Sequence, residues 1–250
     1  MCIRSKLILF DIEGILLKDD KMFSQEVFRA VLRLKAAGHK FGVMTSDRWL
    51  KASGYTNSIH PDISVVADGA QVFKGDDLIW SASLSLEQSK GIVKDLNNDP
   101  DCSFIGISSG KYIYTNDPSE DGEYIRYRDM SLPLTQSVHE VFAMTTKKVA
   151  DKITSKYECK SFEFYGDDLC RFVSKDADLG NAVRNTCRLL NIDLKDTVAI
   201  TNDMSVLEIV GIGISSDNAC EEIKEKAGLI FGDNNTDSLA EFLKEEILVK

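Results

Sequence analysis

Two acidic residues that follow an apolar segment are the strongest candidates for chemistry in this sequence. The segment LILFDIEGILL, residues 7–17, leads through four apolar residues into Asp11, and Glu13 and Gly14 come next. Alternate side chains of an extended chain point to the same side, so Asp11 and Glu13 can face one pocket, and Gly14 lets the backbone turn sharply after them. Buried acids are costly unless a cation or hydrogen-bond donors compensate them. The function of the protein therefore depends on whether its other loops supply that compensation.

Two further polar segments follow the next predicted strands. Ser46-Asp47-Arg48 comes after KFGVM, where a helix should begin, and Asp68-Gly69-Ala70 comes after ISVV at 63–66. In open parallel sheets the ligand site lies outside the carboxyl ends of the strands. We therefore expect all three polar segments to lie at one crevice.

The elements around these segments follow a β-α-β pattern. Ser24 is a good N-cap for a helix, and Gly38 is a good residue to end it. The helix has one apolar stripe, which consists of Val27, Phe28, Val31, Leu32 and Leu34. A strand, a crossover helix and a second strand give parallel strands with a right-handed connection.

The pattern changes between residues 75 and 172. Ser85 and Gln88 form a capping box before a helix, SFIGI and YIYT look like strands, and SFEFYG and LCRFV look like a hairpin around Asp167-Asp168. The β-α alternation resumes after residue 172. The sequence therefore predicts an α/β protein with a doubly wound, Rossmann-like parallel-sheet core (residues 1–74 and 173–250) and an inserted α+β cap (residues 75–172).

Composition excludes several functional classes. The formal net charge of -10 disfavours nucleic acids and anionic membrane surfaces as partners. No apolar run is long enough to span a bilayer, and the six cysteines have no metal-site spacing. We expect reduced, mostly buried thiols and a cytoplasmic protein with neither a zinc site nor a Ser-His-Asp triad. Oligomeric state stays open.

The order of these motifs resembles the haloacid dehalogenase superfamily, in particular its Cof-type sugar-phosphatase branch. The resemblance rests on FDIEGILL, the Ser46-Asp47-Arg48 and Asp68-Gly69-Ala70 segments, VSKDADLGNAVRN at the return to the core, and the tail that begins GIGISSDNACEE. It implies a core with an inserted cap and magnesium-dependent hydrolysis of small phosphorylated metabolites through an aspartyl-phosphate.

Residue roles carry over by position from that resemblance. Asp11 is the implied nucleophile, Glu13 the implied general acid and base, and Ser46 the implied phosphate-binding hydroxyl. Asp11, Glu13 and Asp203 are the implied magnesium ligands. Glu13 is one methylene longer than the aspartate of the family, and a general acid must come within hydrogen-bond distance of the leaving oxygen.

Two other motifs depart from the family pattern. Leu179 stands where the family has its phosphate-binding lysine, and Lys175, four residues earlier, and Arg48 are the remaining cationic candidates for substrate binding. The GDxxND motif is shortened to Thr201-Asn202-Asp203, and one alignment makes Asn202-Asp203 the ND pair while the other puts Asn202 at the metal-binding aspartate. Either way one acid remains where the family has two, so we expect weak magnesium binding.

Each candidate also has a structural alternative. The acids and hydroxyls are good at capping helices or at forming surface ion pairs. The alternative for Asp11 is a turn former at the end of a strand. The others are Glu13 as a solvated or paired residue, Ser46, Asp47 and Asp203 as N-caps, Lys175 as a solvated lysine, and Arg48 as the partner of a nearby carboxylate. Two functions stay open on the sequence alone: a weak or inactive phosphatase, and a non-catalytic ligand-binding or regulatory protein on the same fold.

Overall fold

The chain folds into two compact units. The structure is a computed structural model that describes residues 7–116, 124–127, 133–163 and 169–248. The core unit comprises Met1–Trp80 and Asp178–Lys250, and the second unit comprises Ser81–Ala177. These boundaries come several residues after 74 and 172, because the strand Asp77–Ser81 also joins the core sheet and because Lys160 Nζ donates to the carbonyl oxygen of Ala177 at 3.0 Å.

An eight-stranded sheet forms the centre of the core unit. Its strands are β1 Leu7–Asp11, β2 Phe41–Met44, β3 Ile63–Val66, β4 Gln71–Lys74, β5 Asp77–Ser81, β12 Thr197–Ile200, β13 Ile212–Ser216 and β14 Leu229–Phe231. The order is β14-β13-β12-β1-β2-β3-β4-β5. The first six are parallel, and β4 is antiparallel to β3. The predicted parallel core is confirmed.

Helices cover both faces of this sheet. They are α1 Gln25–Ala36, α2 Trp49–Thr56, α5 Leu179–Leu190, α6 Met204–Leu207, α7 Glu221–Lys226 and α8 Ser238–Phe242, with a 3-10 turn at Leu194–Asp196 and a π turn at Leu243–Ile247. The residues of β1 alternate between two apolar clusters: Ile8 and Phe10 pack with α1 and α8, whereas Leu7 and Leu9 pack with α5. This two-sided packing is the doubly wound arrangement.

The first helix agrees with the pattern except at one residue. Ser24 accepts hydrogen bonds from the N–H groups of Glu26 and Val27, and Val27, Ala30, Val31 and Leu34 are buried. Leu32 was predicted in the buried stripe, but it is 38% exposed. It lies one residue after Val31, and a step of one residue turns a helix by about 100°, away from the buried face.

The second unit is built on a separate six-stranded sheet. Its strands are β6 Phe104–Ser109, β7 Tyr112–Thr115, β8 Tyr124–Arg126, β9 Glu140–Met144, β10 Cys159–Glu163 and β11 Leu169–Ser174, in the order β10-β11-β9-β6-β7-β8. The pairs are antiparallel except β7 with β8. Helices α3 Leu86–Asn97 and α4 Lys147–Tyr157 pack on one face, and a 3-10 turn spans Pro133–Thr135. The predicted turn at Asp167-Asp168 lies outside the described residues.

A buried ion pair lies within the sheet of the second unit. Arg171 Nε donates to Glu140 Oε1 at 2.7 Å, and Arg171 Nη2 donates to Glu140 Oε2 at 3.3 Å. The Arg171 side chain is 3% exposed and the Glu140 side chain 0%. Two-point pairing of this kind fixes the geometry of both groups and offsets the cost of removing them from water.

Two other expectations concern thiols and membranes. The five cysteines in the described segments are free, and of these Cys170 and Cys187 are buried, whereas Cys220 is exposed and Cys102 and Cys159 are intermediate. The expectation of mostly buried thiols is therefore wrong. No helix within the described ranges is both long and apolar enough to cross a bilayer.

The loop after β3 has an unusual backbone that brings it against helix α5. Ala67, Asp68 and Gly69 have φ angles of 53°, 52° and 81°. The N–H of Ala67 donates to the carbonyl oxygen of Asp47 at 2.8 Å, which ties this loop to the loop after β2. A Cβ added at Gly69 would lie 2.3 Å from the carbonyl carbon of Asp178. Glycine is therefore required at 69 for both conformation and space.

We expect Gly69→Ala to destabilise the core unit by about 2–4 kcal/mol, because a left-handed alanine is strained and its Cβ meets backbone that has little freedom to move. Gly38→Ala is the matched control, since Gly38 has φ 86° with nothing within 4 Å of an added Cβ. Its cost should be about 1 kcal/mol. Urea unfolding followed by tryptophan fluorescence measures both, because Trp49 and Trp80 both lie in the core unit. Equal losses for the two variants would contradict the steric argument.

Candidate functional site

The candidate site lies at the carboxyl ends of three adjacent parallel strands. Asp11 is the last residue of β1, Thr45 follows β2, and Thr201 follows β12. Strand β1 pairs with β2 on one side and β12 on the other, so all three ends meet at one sheet edge. The crevice expected at this edge thus receives its side chains from neighbouring strands.

Asp11 is held by the loop after β12. The Thr201 hydroxyl donates a short hydrogen bond to Asp11 Oδ2, and the N–H of Asn202 donates to the same oxygen at 3.2 Å. The pKa of Asp11 is raised to about 7, chiefly by burial, against the opposing effect of these two donors. The charges of Asp203 and Glu13 contribute to the increase. Near neutral pH the Asp11 carboxyl is therefore present in both protonation states.

Glu13 contacts the loop after β2. Thr45 Oγ1 donates to Glu13 Oε1 at 2.8 Å. Partial withdrawal of the carboxyl from water raises the pKa of Glu13, the Thr45 hydroxyl lowers it, and the charge of Asp47 raises it. Gly14 has φ 70°, so the sharp turn predicted after Glu13 is confirmed.

Thr45, rather than the predicted Ser46, is the hydroxyl that contacts Glu13. Thr45 is buried, and besides its bond to Glu13 it accepts a hydrogen bond from the N–H of Asp47 at 3.0 Å. Ser46 is exposed. Strand β2 ends at Met44, and Thr45, the first residue after the strand, is the one whose hydroxyl reaches Glu13. That strand end was the signal in the sequence that could have identified Thr45.

Most side-chain hydrogen bonds of the 201–203 loop, which replaces the GDxxND motif, are made to the start of α6 and to β13. Asp203 is the N-cap of α6: its Oδ1 accepts hydrogen bonds from Val206 N–H at 3.1 Å and from the Ser205 hydroxyl at 2.5 Å. The side-chain oxygen of Asn202 accepts from Ser215 Oγ at 2.7 Å. The N-cap alternative for Asp203 is therefore confirmed.

The 201–202 loop differs from the implied magnesium site in the groups that it directs at Asp11. Magnesium takes oxygen acceptors in near-octahedral geometry at about 2.0–2.1 Å. The 201–202 loop offers Asp11 two hydrogen-bond donors instead, the Thr201 hydroxyl and the Asn202 N–H. Within the described ranges, no group of three or more histidine, cysteine, aspartate or glutamate residues is arranged to hold a metal ion. Asp203 and Glu13 act on Asp11 through their charges, and Asp203 also caps α6, so the set of Asp11, Glu13 and Asp203 as magnesium ligands stays a prediction.

The start of α5, where the family lysine is replaced by Leu179, is capped by the protein itself. The N–H of Gly180 donates to Ser205 Oγ at 3.0 Å, and the N–H of Asn181 donates to Asp178 Oδ1 at 2.7 Å. Leu179 packs against the apolar cluster on this face of the sheet. The helix start therefore presents a carboxylate where a phosphate would need a cation.

The two cationic candidates lie on different units. Lys175 belongs to the second unit, where its Nζ bonds Glu158 Oε2 at 2.9 Å and both side chains are exposed. This pairing agrees with the alternative of a surface lysine, and substrate binding by Lys175 stays a prediction. Arg48 is the partly exposed N-cap residue of α2, on the core unit.

Comparisons with known proteins agree with this fold. A family model described as haloacid dehalogenase-like hydrolase matches residues 8–243. The chain is 22% identical to the 5-amino-6-(5-phospho-D-ribitylamino)uracil phosphatase YbjI of Escherichia coli over 95% of this chain and 94% of that protein.

Solved structures of other proteins have the same fold. A haloacid dehalogenase-like hydrolase from Bacteroides thetaiotaomicron superposes with a TM-score of 0.82 at 15% identity, over 96% of this chain and 99% of that one. The subclass IIB sugar phosphatase BT4131 superposes with a TM-score of 0.71 at 15% identity, over 96% and 98%. From the family match and the shared architecture together, the chain belongs to the haloacid dehalogenase-like hydrolases.

Proposed function

We propose that this chain is a phosphatase homologue that hydrolyses small phosphorylated metabolites very slowly or not at all. The observation that carries the proposal is the pair of donors on Asp11: the 201–202 loop, in which the family pattern implies a metal-binding acid, directs the Thr201 hydroxyl and the Asn202 N–H at Asp11 Oδ2. Magnesium binding, if any, is expected to be weak.

Electrostatics supports the same conclusion. In the state in which Asp11 and Glu13 are both ionised, they repel a phosphate dianion, and each unit-charge pair at about 4 Å costs roughly 4 kcal/mol at an effective dielectric constant of 20. Leu179 contributes no compensating charge, and Asp178 adds a negative one at the start of α5. Since about 1.4 kcal/mol of barrier lowers a rate tenfold, an uncompensated pair of this size is enough to suppress turnover.

The alternative candidate is a magnesium-dependent phosphatase with Asp11 as nucleophile and Glu13 as general acid and base. The retained pair of acids favours it, because Glu13 follows Asp11 closely and has a raised pKa, which suits a proton donor. In that reaction Glu13 would donate a proton to the leaving oxygen, and Thr45 would orient the Glu13 carboxyl.

A phosphate-release assay separates the two candidates. Purified protein is incubated with a panel of sugar and nucleotide phosphates, with and without magnesium, beside the Asp11→Asn variant. We expect no magnesium-dependent release above the variant. Release that exceeds the Asp11→Asn background and depends on the divalent ion would remove the proposal in favour of the active phosphatase.

A gain-of-function variant tests the cause. Leu179→Lys with Asn202→Asp restores a cation and an acid at the two positions where the family pattern is lost. If those side chains limit the reaction, the double variant should release phosphate at least about tenfold faster than wild type, as recovery of about 1.4 kcal/mol implies. A double variant as silent as wild type would assign the deficit to the shortened loop instead.

Location and partners belong to the same proposal. The net charge of -10 disfavours nucleic-acid partners. The free thiols suit a reducing compartment, so we propose a cytoplasmic protein. A small phosphorylated molecule is the proposed ligand class for this site.

A further inference from the structure

Two backbone donors at the N-terminus of helix α4, in the second unit, are available to a ligand. The helix begins at Lys147, and the side chain of its N-cap residue, Thr146, makes no capping hydrogen bond. The N–H groups of Val149 and Ala150 both donate to the carbonyl oxygen of Thr146 at 3.0 Å, whereas those of Lys147 and Lys148 bond no residue in the described segments. Because the first N–H groups of a helix carry partial positive charge, this end of α4 attracts an anion.

A buried hydroxyl lies next to these donors. Thr145 is 2% exposed, and its Oγ1 makes no hydrogen bond to any described residue. One apolar cluster contains Val141 and Ala143 of strand β9 together with Val149 and Ala150 from the first turn of α4. Alternate side chains of an extended chain point to the same side, so Thr145 continues the row of Val141 and Ala143 beneath that turn. A buried hydroxyl without a partner is costly, and a ligand oxygen that accepts from it would remove this cost.

Two lysines occupy the first turn of α4, where a cation opposes the helix dipole. Lys147 and Lys148 are exposed, and no acidic residue stands in that turn. Neither lysine forms an ion pair within the part of the chain that the structure describes, not even with Asp151 one turn later. A bound anion would reverse the unfavourable effect, because both lysines and the helix dipole then attract the same negative charge.

The combined set of donors selects the ligand. Two N–H groups, two ammonium groups and the hydroxyls of Thr145 and Thr146 are all donors, and a phosphate group has the charge and the acceptor oxygens that such a set needs. A neighbouring cavity of about 130 Å³ is lined by Asp95 and Asp99 as well as Val149. These carboxylates disfavour a second anionic group on the ligand. We propose that this end of α4 binds a single phosphate group, that of inorganic phosphate or of a small monoester.

NMR titration of the ¹⁵N-labelled full chain in EDTA tests this proposal, which requires no hydrolysis at Asp11. Inorganic phosphate should shift the amide signals of Lys147 and Lys148 with saturation and a Kd of about 1 mM, as suits so small a ligand. Sodium chloride at the same ionic strength should give no saturable shift. Glucose 6-phosphate distinguishes the two sources: tighter binding than phosphate assigns the site to monoesters, and equal or weaker binding assigns it to the inorganic ion.

A pair of double variants tests the role of the lysines. Lys147→Gln with Lys148→Gln should bind phosphate at least about tenfold more weakly, because two charged donors are lost. Lys90→Gln with Lys94→Gln is the matched control, since it removes the same charge from exposed positions of α3. The control should bind phosphate as tightly as wild type.

Thr145→Val tests the buried hydroxyl through two measurements. Valine has a similar shape but no donor, so phosphate should bind about three- to tenfold more weakly. The ligand-free variant should unfold at an unchanged or higher temperature, because a buried hydroxyl without a partner has been removed. The proposal is overturned if phosphate gives no saturable shift at Lys147 and Lys148, if the two double variants bind alike, or if Thr145→Val binds as tightly as wild type.

Discussion

Replacing Arg171 by methionine is expected to destabilise the second unit by about 3–5 kcal/mol. The guanidinium makes two hydrogen bonds to the Glu140 carboxylate, and the two side chains are 3% and 0% exposed. Without Arg171 the Glu140 carboxylate stays buried and loses this cation. The free-energy cost of that buried charge exceeds the stabilisation that the ion pair provides. Amide hydrogen exchange of β9 and β11 should accelerate by about a hundredfold or more, since about 1.4 kcal/mol corresponds to a factor of ten.

Two controls separate burial from pairing. Arg29→Met removes an ion pair of the same 2.7 Å length from an exposed position, where the side chains are 53% and 37% exposed, and should cost at most about 1 kcal/mol. The double variant Glu140→Met with Arg171→Met should recover most of the loss, because no unpaired charge remains. An Arg171→Met variant no less stable than Arg29→Met would contradict the assignment of a buried, stabilising pair.

Asp11→Asn is expected to stabilise the core unit at alkaline pH and much less in acid. The pKa of Asp11 is raised from 3.8 to about 7 in the folded chain. The folded state therefore keeps a proton that the unfolded state has released, so stability falls as pH rises from about 4 through 7 and the whole penalty is present above pH 7. The full shift corresponds to about 4 kcal/mol. Asp11 retains some contact with solvent, so we expect a gain of about 2 kcal/mol at pH 8.

Urea unfolding at pH 5 and pH 8 measures this difference, with tryptophan fluorescence as the probe of the core unit. Thr201→Val is the companion variant, because it removes a hydroxyl that lowers the pKa of Asp11 and should therefore steepen the loss of stability above neutral pH. If Asp11→Asn changed stability equally at both pH values, the ionisation of Asp11 would not be the cause.

Much of the architecture could be predicted because its elements have strong local signals. The strand at 63–66 and the capping box at Ser85 and Gln88 lie where the pattern places them. The extension of the core sheet by β4 and β5 was not predicted, since antiparallel strands at a sheet edge lack the continuous apolar run of buried parallel strands. The first boundary between the two units lies after residue 74 for the same reason.

The site was less predictable than the fold. Asp11, Glu13 and the 201–203 loop were found because motif order identified them, and the structure brings Asp11 to that loop. The choice between Thr45 and Ser46 depends on the residue at which β2 ends, and such boundaries are the least certain part of a pattern. The pairing of Lys175 with Glu158 joins side chains on different elements, which no local pattern reports.

The core unit is made of two segments of the chain, so its sheet is completed late in synthesis. The central strand β1 pairs with β12 in the register Leu7 to Thr197, so its second neighbour emerges from the ribosome only after the whole inserted unit. Residues 81–177 make their own sheet and can fold first. Until β12 is synthesised, the edge of β1 that pairs with β12 has no partner strand. Closure of that edge is a long-range step, and such contacts slow folding. Translation that pauses before residue 197 would therefore prolong exposure of the edge to aggregation.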